Sequence, residues 1–349
     1  MGRGEAVALI SLRGQRQQQG IRPFDPAHDL KAVADLMVAA FGDQLDASGQ
    51  ATLAHMRRMA RVGMLMGKYY WLSLDSGEVA PGFVWVEDGR TVGNVSLRRV
   101  AGEPAYLIGN VAVHPDWQRR GIATALIEAA LESVSRQGTR WVGLEVRTDN
   151  PNARRLYERL GFSEIGQTWT MTRPAGLDWQ RRAAPVSVPL RRARVREANI
   201  LLELARESIP APQHAFFELR RESYRLDLER KLNHLLEGRR EVWWVATEEQ
   251  GKLLGAVRAR CERRSLPHRL EVLVRSRCEG QLETGLVARG LDSLPRVSDR
   301  AVEVTVPVSL QALVASLRQA GFETAYGLVQ MRLDLRGRSR SMPVRANET

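Results

Sequence analysis

Apolar residues recur every three to four positions near the start of the chain and fall into shorter runs further on. Between residues 27 and 40, the apolar side chains Leu30, Val33 and Leu36 lie on one stripe, which is typical of an amphipathic helix. Asp88-Gly89, between two apolar runs, favours the turn of a β-hairpin. The pattern predicts helices at 27–40, 51–66, 121–136 and 152–160, and strands at 83–86, 91–97, 106–113, 141–146 and 162–171.

In chain order these elements read α-α-β-β-β-α-β-α-β, which favours an α/β fold with a mixed central sheet flanked by helices. Parallel neighbours in a sheet need a crossover connection, and the helix at 121–136 supplies one. The second half of the chain repeats the order weakly. Segments match at a nearly constant offset: LYERLGF (156–162) with SLRQAGF (316–322), GRTVGNVSL (89–97) with GKLLGAVRA (251–259), and VGLEV (142–146) with AVEVT (301–305). We therefore predict two tandem copies of one α/β domain.

The stretch PAGLDWQRRAAPVSVP, residues 174–189, has no sustained period and is rich in proline, alanine and arginine, which indicates a linker. The predicted organisation is a flexible tail at 1–19, a first domain at 20–173, the linker, a second domain at 190–335 and a basic tail at 336–349. The 349 residues are 44% hydrophobic and 26% charged, an ordinary globular composition. The longest apolar stretch is too short to span a membrane, and the first twenty residues lack the features of a signal peptide.

The formal net charge of +12 lies mainly outside the two predicted domains. Residues 174–196 carry +5 and residues 336–349 carry +3, whereas 1–173 carry +3 and 197–335 only +1. This distribution does not favour a folded groove for specific nucleic-acid binding. The two cysteines, Cys261 and Cys278, form no C-x-x-C motif, and no H-E-x-x-H is present. We therefore expect a cytoplasmic protein without a metal site.

The most informative block is NVAVHPDWQRRGIATALIEAAL, residues 110–131. A predicted strand ends at Val113, a turn follows, and Gln118-Arg119-Arg120-Gly121-Ile122-Ala123 opens a helix. The unpaired amides and positive dipole end of a helix N-terminus bind phosphate, and Gly121 lets the backbone approach a ligand. The block lacks the lysine of a P-loop and the G-x-G-x-x-G of a dinucleotide site. An ordinary strand–turn–helix with a glycine is the alternative.

Downstream residues decide between these interpretations. The strand at 141–146 ends in LEVR (144–147), and N-x-x-A-x-x-x-Y-x-x-x-G-F follows from Asn150 to Phe162. With QRRGIA, these ordered motifs resemble the GNAT N-acetyltransferase superfamily over roughly residues 20–173. In closer detail, NVAVHPDWQRRGIA, LEVR and LYERLGF resemble the ribosomal-protein alanine N-acetyltransferase group.

The resemblance implies acetyl-CoA as co-substrate and a splay between the strands at 106–113 and 141–146, where pantetheine would lie like an added strand. The break at Gly109-Asn110 fits a bulge that opens the sheet. The cofactor-binding residues that the resemblance implies are Val111, Ala112 and Val113 for the pantetheine arm and acetyl carbonyl, Arg119, Arg120, Gly121, Ile122, Ala123 and Thr124 for the pyrophosphate, and Asn150 at the start of the next helix.

Acetyl transfer to an amine requires three kinds of group. Only a neutral amine attacks a thioester, so a base is useful, and Glu145 is the candidate, acting through water. The strand N–H of Val111 or Val113 suits the oxyanion. Tyr157 is the candidate acid for the leaving thiolate. Proton transfer from the phenol to this thiolate is unfavourable in free energy, because the thiol has the lower pKa. Alternatively, Glu145 is a solvated charge and Tyr157 a core aromatic.

The predicted function is therefore an acetyl-CoA-dependent N-acetyltransferase that acts on a primary amine by direct attack. The acceptor is a protein N-terminus or a small molecule, and a non-catalytic acyl-CoA-binding or regulatory module is the alternative. The second half is predicted to be a degenerate copy of the first, in which the residues expected to bind acetyl-CoA are replaced. An offset of 160 places Leu317 opposite Tyr157, Gln281 opposite Gly121 and Glu283 opposite Ala123, while Glu303 keeps the strand glutamate. A monomer with pseudo-dimeric domains or a homodimer is expected.

Overall fold

The protein is described by a computed structural model that covers residues 19–42, 49–50, 53–54, 56–57, 79–176, 188–217, 219–227, 229, 238–248, 251–262, 266–295 and 299–335. Most of the predicted helix at 51–66, nearly all of both predicted tails and most of the predicted linker lie outside the described residues. No helix in these ranges combines the length and apolar character needed to cross a lipid bilayer.

The helices and strands follow the predicted order, with one strand added at the start. In the first half they are β1 (Gly20–Pro23), α1 (Pro26–Phe41), β2 (Val79–Glu87), β3 (Arg90–Arg99), β4 (Ala105–Val113), α2 (Ile122–Ser135), β5 (Trp141–Arg147), α3 (Pro151–Arg159) and β6 (Ser163–Arg173). In the second half they are β7 (Leu190–Arg192), α4 (Ala198–Ser208), β8 (Arg240–Thr247), β9 (Leu253–Cys261), β10 (His268–Val274), α5 (Glu283–Asp292), β11 (Val302–Pro307), α6 (Gln311–Gln319) and β12 (Glu323–Asp334).

Two compact units make up the chain. The first contains residues 1–145, 155–163 and 332–349, and the second contains 146–154 and 164–331. In the first unit the strand order is β1-β2-β3-β4-β5, antiparallel except for the parallel pair β4–β5. The mixed sheet predicted from the sequence is therefore confirmed.

Helices α1 and α2 cover opposite faces of the sheet in the first unit. Apolar side chains of α1, such as Val33 and Leu36, pack with Val84 and Val86 of β2. Side chains alternate along a strand, so Trp85 points to the other face. Gly93, which pairs with Trp85, lies there against α2. The apolar stripe predicted for α1 is thus its core-facing side.

In the second unit the strand order is β12-β6-β11-β10-β9-β8-β7. Strand β6 runs antiparallel to β11 over six residue pairs, from Arg173↔Val302 to Thr168↔Pro307. From Glu164 onward β6 therefore belongs to the second unit, although it ends the first half of the sequence. The chain from Arg332 onward belongs to the first unit, where the Leu335 N–H donates to the Arg140 carbonyl at 2.8 Å. The compact units thus differ from the predicted sequential boundary at 173/174.

A pair of equivalent hydrogen bonds marks this arrangement. The Thr148 N–H donates to the Gly327 carbonyl at 3.0 Å, and the Val308 N–H donates to the Gln167 carbonyl at 2.9 Å. Donors and acceptors are both 160 positions apart. Each bond joins the segment after a strand of one half to the last strand of the other, so the two halves make the same contact with exchanged partners.

The duplication is also visible in the contact between helix and sheet, because each half has a strand glycine facing the helix. A Cβ on Gly93 would lie 2.8 Å from the Ile122 side chain and 2.9 Å from that of Leu126. A Cβ on Gly255 would likewise lie 2.9 Å from Leu286 and 3.3 Å from Leu282. Both glycines allow a close approach of helix to strand, and the helix residues are 160 positions apart.

Gly93→Val is expected to lower the free energy of unfolding by about 1–3 kcal/mol, because the added side chain overpacks the contact with α2. Urea unfolding followed by fluorescence would measure it. Gly109→Ala is the matched control, since a Cβ there has no neighbour within 4 Å. An equal free energy of unfolding for Gly93→Val and the wild type would show that α2 shifts to make room.

Candidate active site

Strand β4 contains the bulge predicted at its glycine–asparagine break. Its pairing with β3 passes from Ser96↔Gly109 to Asn94↔Ala112, so β4 has one more residue than β3 over this stretch. Asn110, within the stretch, has a φ of 51°. An extra residue unpairs the ladder locally and increases the twist of the strand.

Beyond the bulge, β4 no longer pairs with its parallel neighbour. The register of β4 with β5, two strands that are described throughout, runs from Ala105↔Trp141 to Ile108↔Leu144 and ends there. Val111 and Val113 lie half-buried on the part of β4 that runs beside β3 but no longer pairs with β5. Their N–H groups therefore have no partner on β5, as the predicted splay requires.

The loop at Gln118–Gly121 leads from β4 into α2. Arg119 has a φ of 62° and Gly121 a φ of 78°, both in the left-handed region. Helix α2 begins at Ile122, and its first intrahelical bond runs from the Ala125 N–H to the Gly121 carbonyl at 3.0 Å. The three preceding amides have no intrahelical acceptor, and a Cβ on Gly121 would meet nothing within 4 Å. Ile122, Ala123 and Thr124 therefore present an open set of donors suited to an anion.

Neighbouring side chains brace this loop. The Gln118 amide donates to the Val113 carbonyl at 3.3 Å, and the Arg120 guanidinium donates to the Asp116 carbonyl at 3.1 Å. The same guanidinium lies 6.0 Å from the centre of the Trp117 ring. Arg119 is exposed. Arg120 thus supports the turn as well as adding positive charge beside it.

The two candidate catalytic side chains have contrasting surroundings. Glu145 is exposed and comes one residue after the last β4–β5 pair, so it lies where the gap begins. Tyr157 is only 6% exposed and packs edge-on against Phe162, with ring centres 6.1 Å apart. Burial raises the pKa of the Tyr157 phenol to about 12. No residue in the described part of the chain hydrogen-bonds its hydroxyl.

Asn150 caps the next helix. Its side-chain oxygen accepts a hydrogen bond from the Ala153 N–H at 3.0 Å, at the start of α3. This bond satisfies one of the free amides of the helix terminus. Asn150 belongs to the compact unit that contains residues 146–154, whereas the other candidate residues lie in the first unit. Its predicted contact with the cofactor stays a prediction.

The second half lacks the bulge. Strands β9 and β10 pair without a register shift from Arg258↔Glu271 to Gly255↔Val274. The turn before α5 (275–282) has the same length as the turn before α2 (114–121), but its conformation differs. Only Gly280 there has a positive φ, 80°, whereas the first half has two such residues. The bulge residue is therefore missing from the second half, and its absence lowers the offset between the halves from 162 at Gly93 and Gly255 to 161 at the strand ends Val113 and Val274.

An internal carboxylate occupies the turn of the second half. The Glu283 carboxylate accepts hydrogen bonds from the N–H groups of Gly280 at 2.9 Å and Leu282 at 3.1 Å, and the residue is only 3% exposed. The sequence prediction placed this acidic residue correctly at the helix start. It did not foresee that the carboxylate would bind the local amides itself and so take the position of an external anion.

The structure corrects the predicted equivalence between Glu303 of the second half and Glu145 of the first. The sequence match set Glu303 opposite Glu145, but the strand ends give a different equivalence. Glu145 lies two residues before the end of β5, and Thr305 lies two residues before the end of β11, and both are exposed. The buried Leu317 stands opposite Tyr157, as predicted. The second half thus has neither a carboxylate nor a phenol at the equivalent positions.

Residues 52–162 match the profile of the family described as Acetyltransferase (GNAT) family. This part of the chain is similar to GNAT acetyltransferases. The match includes the bulge, the turn before α2 and both candidate catalytic residues. It covers only part of the chain and lies within the first half.

Curated relatives match parts of the chain. The [ribosomal protein bS18]-alanine N-acetyltransferase of Escherichia coli (strain K12) is 36% identical over 90 residues, which is 26% of this chain and 60% of that protein. A mycothiol acetyltransferase of Nocardiopsis dassonvillei is 33% identical over 147 residues, 41% of this chain and 42% of that protein. The chain thus spans about 60% or less of the length of these relatives.

Solved structures resemble the protein over most of its length. A tandem GNAT protein from the clavulanic acid biosynthesis pathway covers 90% of this chain, and the match covers 98% of that protein, at a TM-score of 0.57 and 18% identity. A GCN5-related N-acetyltransferase from Sphaerobacter thermophilus gives a TM-score of 0.63 at 21% identity, with coverage of 90% and 95%. These likenesses concern the fold, and they agree with a tandem arrangement of two GNAT-like halves.

Proposed function

We propose that the protein is an acetyl-CoA-dependent N-acetyltransferase whose first half carries the site and whose acceptor is a primary amine. The observation that carries the proposal is that only the first half combines a bulged β4, which stops pairing with β5 after Ile108, with an open, amide-lined turn at Gly121. The family match and the names of the relatives support the same reaction class. The cytoplasm is the proposed location.

The donor amides fit the co-substrate chemically. First-turn amides and the positive end of α2 suit a diphosphate, and the absence of a side chain at Gly121 leaves the approach open. The unpaired edge of β4 at Val111–Val113 suits an extended amide-containing arm, which binds as an added strand would. Arg119 and Arg120 supply positive charge. Acetyl-CoA would supply the thioester that the acceptor attacks.

The protein's own groups then have distinct tasks. Glu145, exposed at the gap, accepts the proton of the incoming amine through water, since only a neutral amine attacks. The N–H of Val111 or Val113 donates to the carbonyl oxygen as it gains negative charge. The Tyr157 phenol, with its pKa near 12, hydrogen-bonds the departing sulfur. Full proton transfer to a thiolate of pKa near 8.5 would be uphill by about 5 kcal/mol.

Tyr157→Phe is expected to lower kcat at least tenfold while the Kd of acetyl-CoA changes little, because the lost hydroxyl acts only when the sulfur leaves. Thiol release and calorimetry measure the two quantities. The raised pKa also keeps the phenol protonated, so the wild-type rate should rise with pH as the amine is deprotonated. It should show no falling limb from this residue below pH 10. An unchanged kcat in the variant would remove Tyr157 from the reaction.

Two classes of amine acceptor are compatible with the proposed reaction. The alanine N-acetyltransferase relatives favour a protein N-terminus, and the mycothiol acetyltransferase relative favours a small molecule. A screen of peptides and small amines with release of free CoA as the readout separates these acceptors. Binding of acetyl-CoA without release by any acceptor would instead favour a non-catalytic acyl-CoA-binding or regulatory module.

A further inference from the structure

The side chain of Asn94 on β3 is directed at the bulge. It is only 2% exposed, and its amide nitrogen donates to the Asn110 carbonyl at 2.9 Å. Weaker contacts join the same nitrogen to the Ser96 hydroxyl at 3.4 Å, and the Asn110 amide to that hydroxyl at 3.3 Å. The sequence motifs singled out Asn110 but neither Asn94 nor Ser96. The Asn94–Asn110 bond is the shortest of these contacts, and it fixes the carbonyl of the residue that has the left-handed conformation in β4.

The direction of this hydrogen bond has a consequence for the next amide. A trans peptide is planar, and its C=O and N–H point in opposite directions. The Asn110 carbonyl is drawn towards Asn94 on β3, so the Val111 N–H points away from β3. Because β4 lies between β3 and β5, that direction is the side of the gap. Val111 is one of the two amides proposed to stabilise the carbonyl oxygen.

The other half of the chain provides an internal comparison. At the 162 offset that relates Gly93 to Gly255, Asn94 corresponds to Ala256. Ala256 pairs with Leu273 in a ladder that has no bulge. The polar side chain is thus present where the strand is bulged and replaced by a methyl group where it is regular.

We propose that Asn94 is a positioning residue that aims the Val111 N–H at the reacting carbonyl by holding the Asn110 peptide. This inference rests on the proposed function. Asn94 does not touch the substrate in this scheme and acts through the orientation of one peptide plane. Its removal should therefore affect the chemical step more than the binding of acetyl-CoA, which depends mainly on the turn at Gly121.

Asn94→Leu keeps the approximate side-chain volume and removes the donor. We expect kcat to fall at least tenfold, as for a misaligned oxyanion donor, with the Kd of acetyl-CoA within about threefold of wild type. Asn94→Asp, closer in shape, is the second variant should the first not fold, and the same split is expected. Ser96→Ala is the matched control, because it leaves the Asn94–Asn110 bond intact and should keep kcat within about threefold.

Nuclear magnetic resonance of the Val111 amide gives a readout that does not depend on activity. In Asn94→Leu the Val111 resonance should shift and its hydrogen exchange should quicken, with little change in α2. A kcat within threefold of wild type, or an unchanged Val111 resonance, would overturn the inference. If the wild-type protein releases no CoA with any amine, the proposed function fails, while the resonance of Val111 still tests the role of Asn94 in the bulge.

Discussion

Replacing Gly121 with valine will weaken acetyl-CoA binding at least about 100-fold. Gly121 has a φ of 78°, a conformation that a β-branched residue adopts only with strain of about 1–3 kcal/mol. The new side chain would also enter the space above the first-turn amides of α2, which is open now. Calorimetry measures the Kd, and the wild-type protein should bind one equivalent per chain, because the Glu283 carboxylate fills the corresponding turn of the second half.

Gln281→Val is the matched control for this prediction. Gln281 is exposed and lies 160 positions after Gly121 in the turn of the second half. The substitution should leave the Kd unchanged. A Gly121→Val protein that binds acetyl-CoA as tightly as wild type would show that the ligand does not rest on this turn, and a stoichiometry of two would show that Glu283 does not close the second turn.

A chain cut after residue 180 will not give a folded, active first half. The cut removes β11, which pairs with six residues of β6, and it removes the segment that closes the first unit. In that segment the Arg332 guanidinium lies 4.7 Å from the Trp141 ring centre, and its carbonyl accepts from the Ser163 hydroxyl at 3.4 Å. We expect aggregation or loss of near-UV circular dichroism, with no measurable release of CoA.

A cut after residue 336 is the control, since it keeps β12 and Leu335. This chain should remain folded and retain the wild-type kcat. A monodisperse, active fragment of residues 1–180 would contradict the prediction. It would mean that β6 can return to its own half of the chain, and that the second half is dispensable for the proposed activity.

Much of the local structure could be predicted from the sequence. The alternation of apolar positions and the turn at Asp88-Gly89 gave the strands and helices of the first half nearly at their observed bounds. The break at Gly109-Asn110 indicated the bulge. Such features depend on residues close together in the chain, so their physical causes are visible in a short window. Strand β1, four residues long, was too short to show a period.

The exchange between the halves could not be predicted in this way. Both β6 and β12 have apolar side chains at alternating positions, and neither sequence indicates which strand will be its neighbour. The role of Asn94 was also hidden, because its partner Asn110 is 16 positions away on another strand. The equivalence of Glu145 with Thr305 instead of Glu303 required the strand ends. The exchange of strands and the role of Asn94 both depend on contacts between residues far apart in the chain.

The exchanged ends also constrain how the protein can form during synthesis. The Leu335 N–H bonds to the Arg140 carbonyl, almost 200 positions earlier in the chain. A nascent polypeptide emerging from the ribosome therefore cannot complete the first unit until its final strand has been made. Contacts of such high sequence separation slow folding. Until residues 332–335 have emerged, the Arg140 carbonyl and the Trp141 ring lack the partners that they have in the folded first unit.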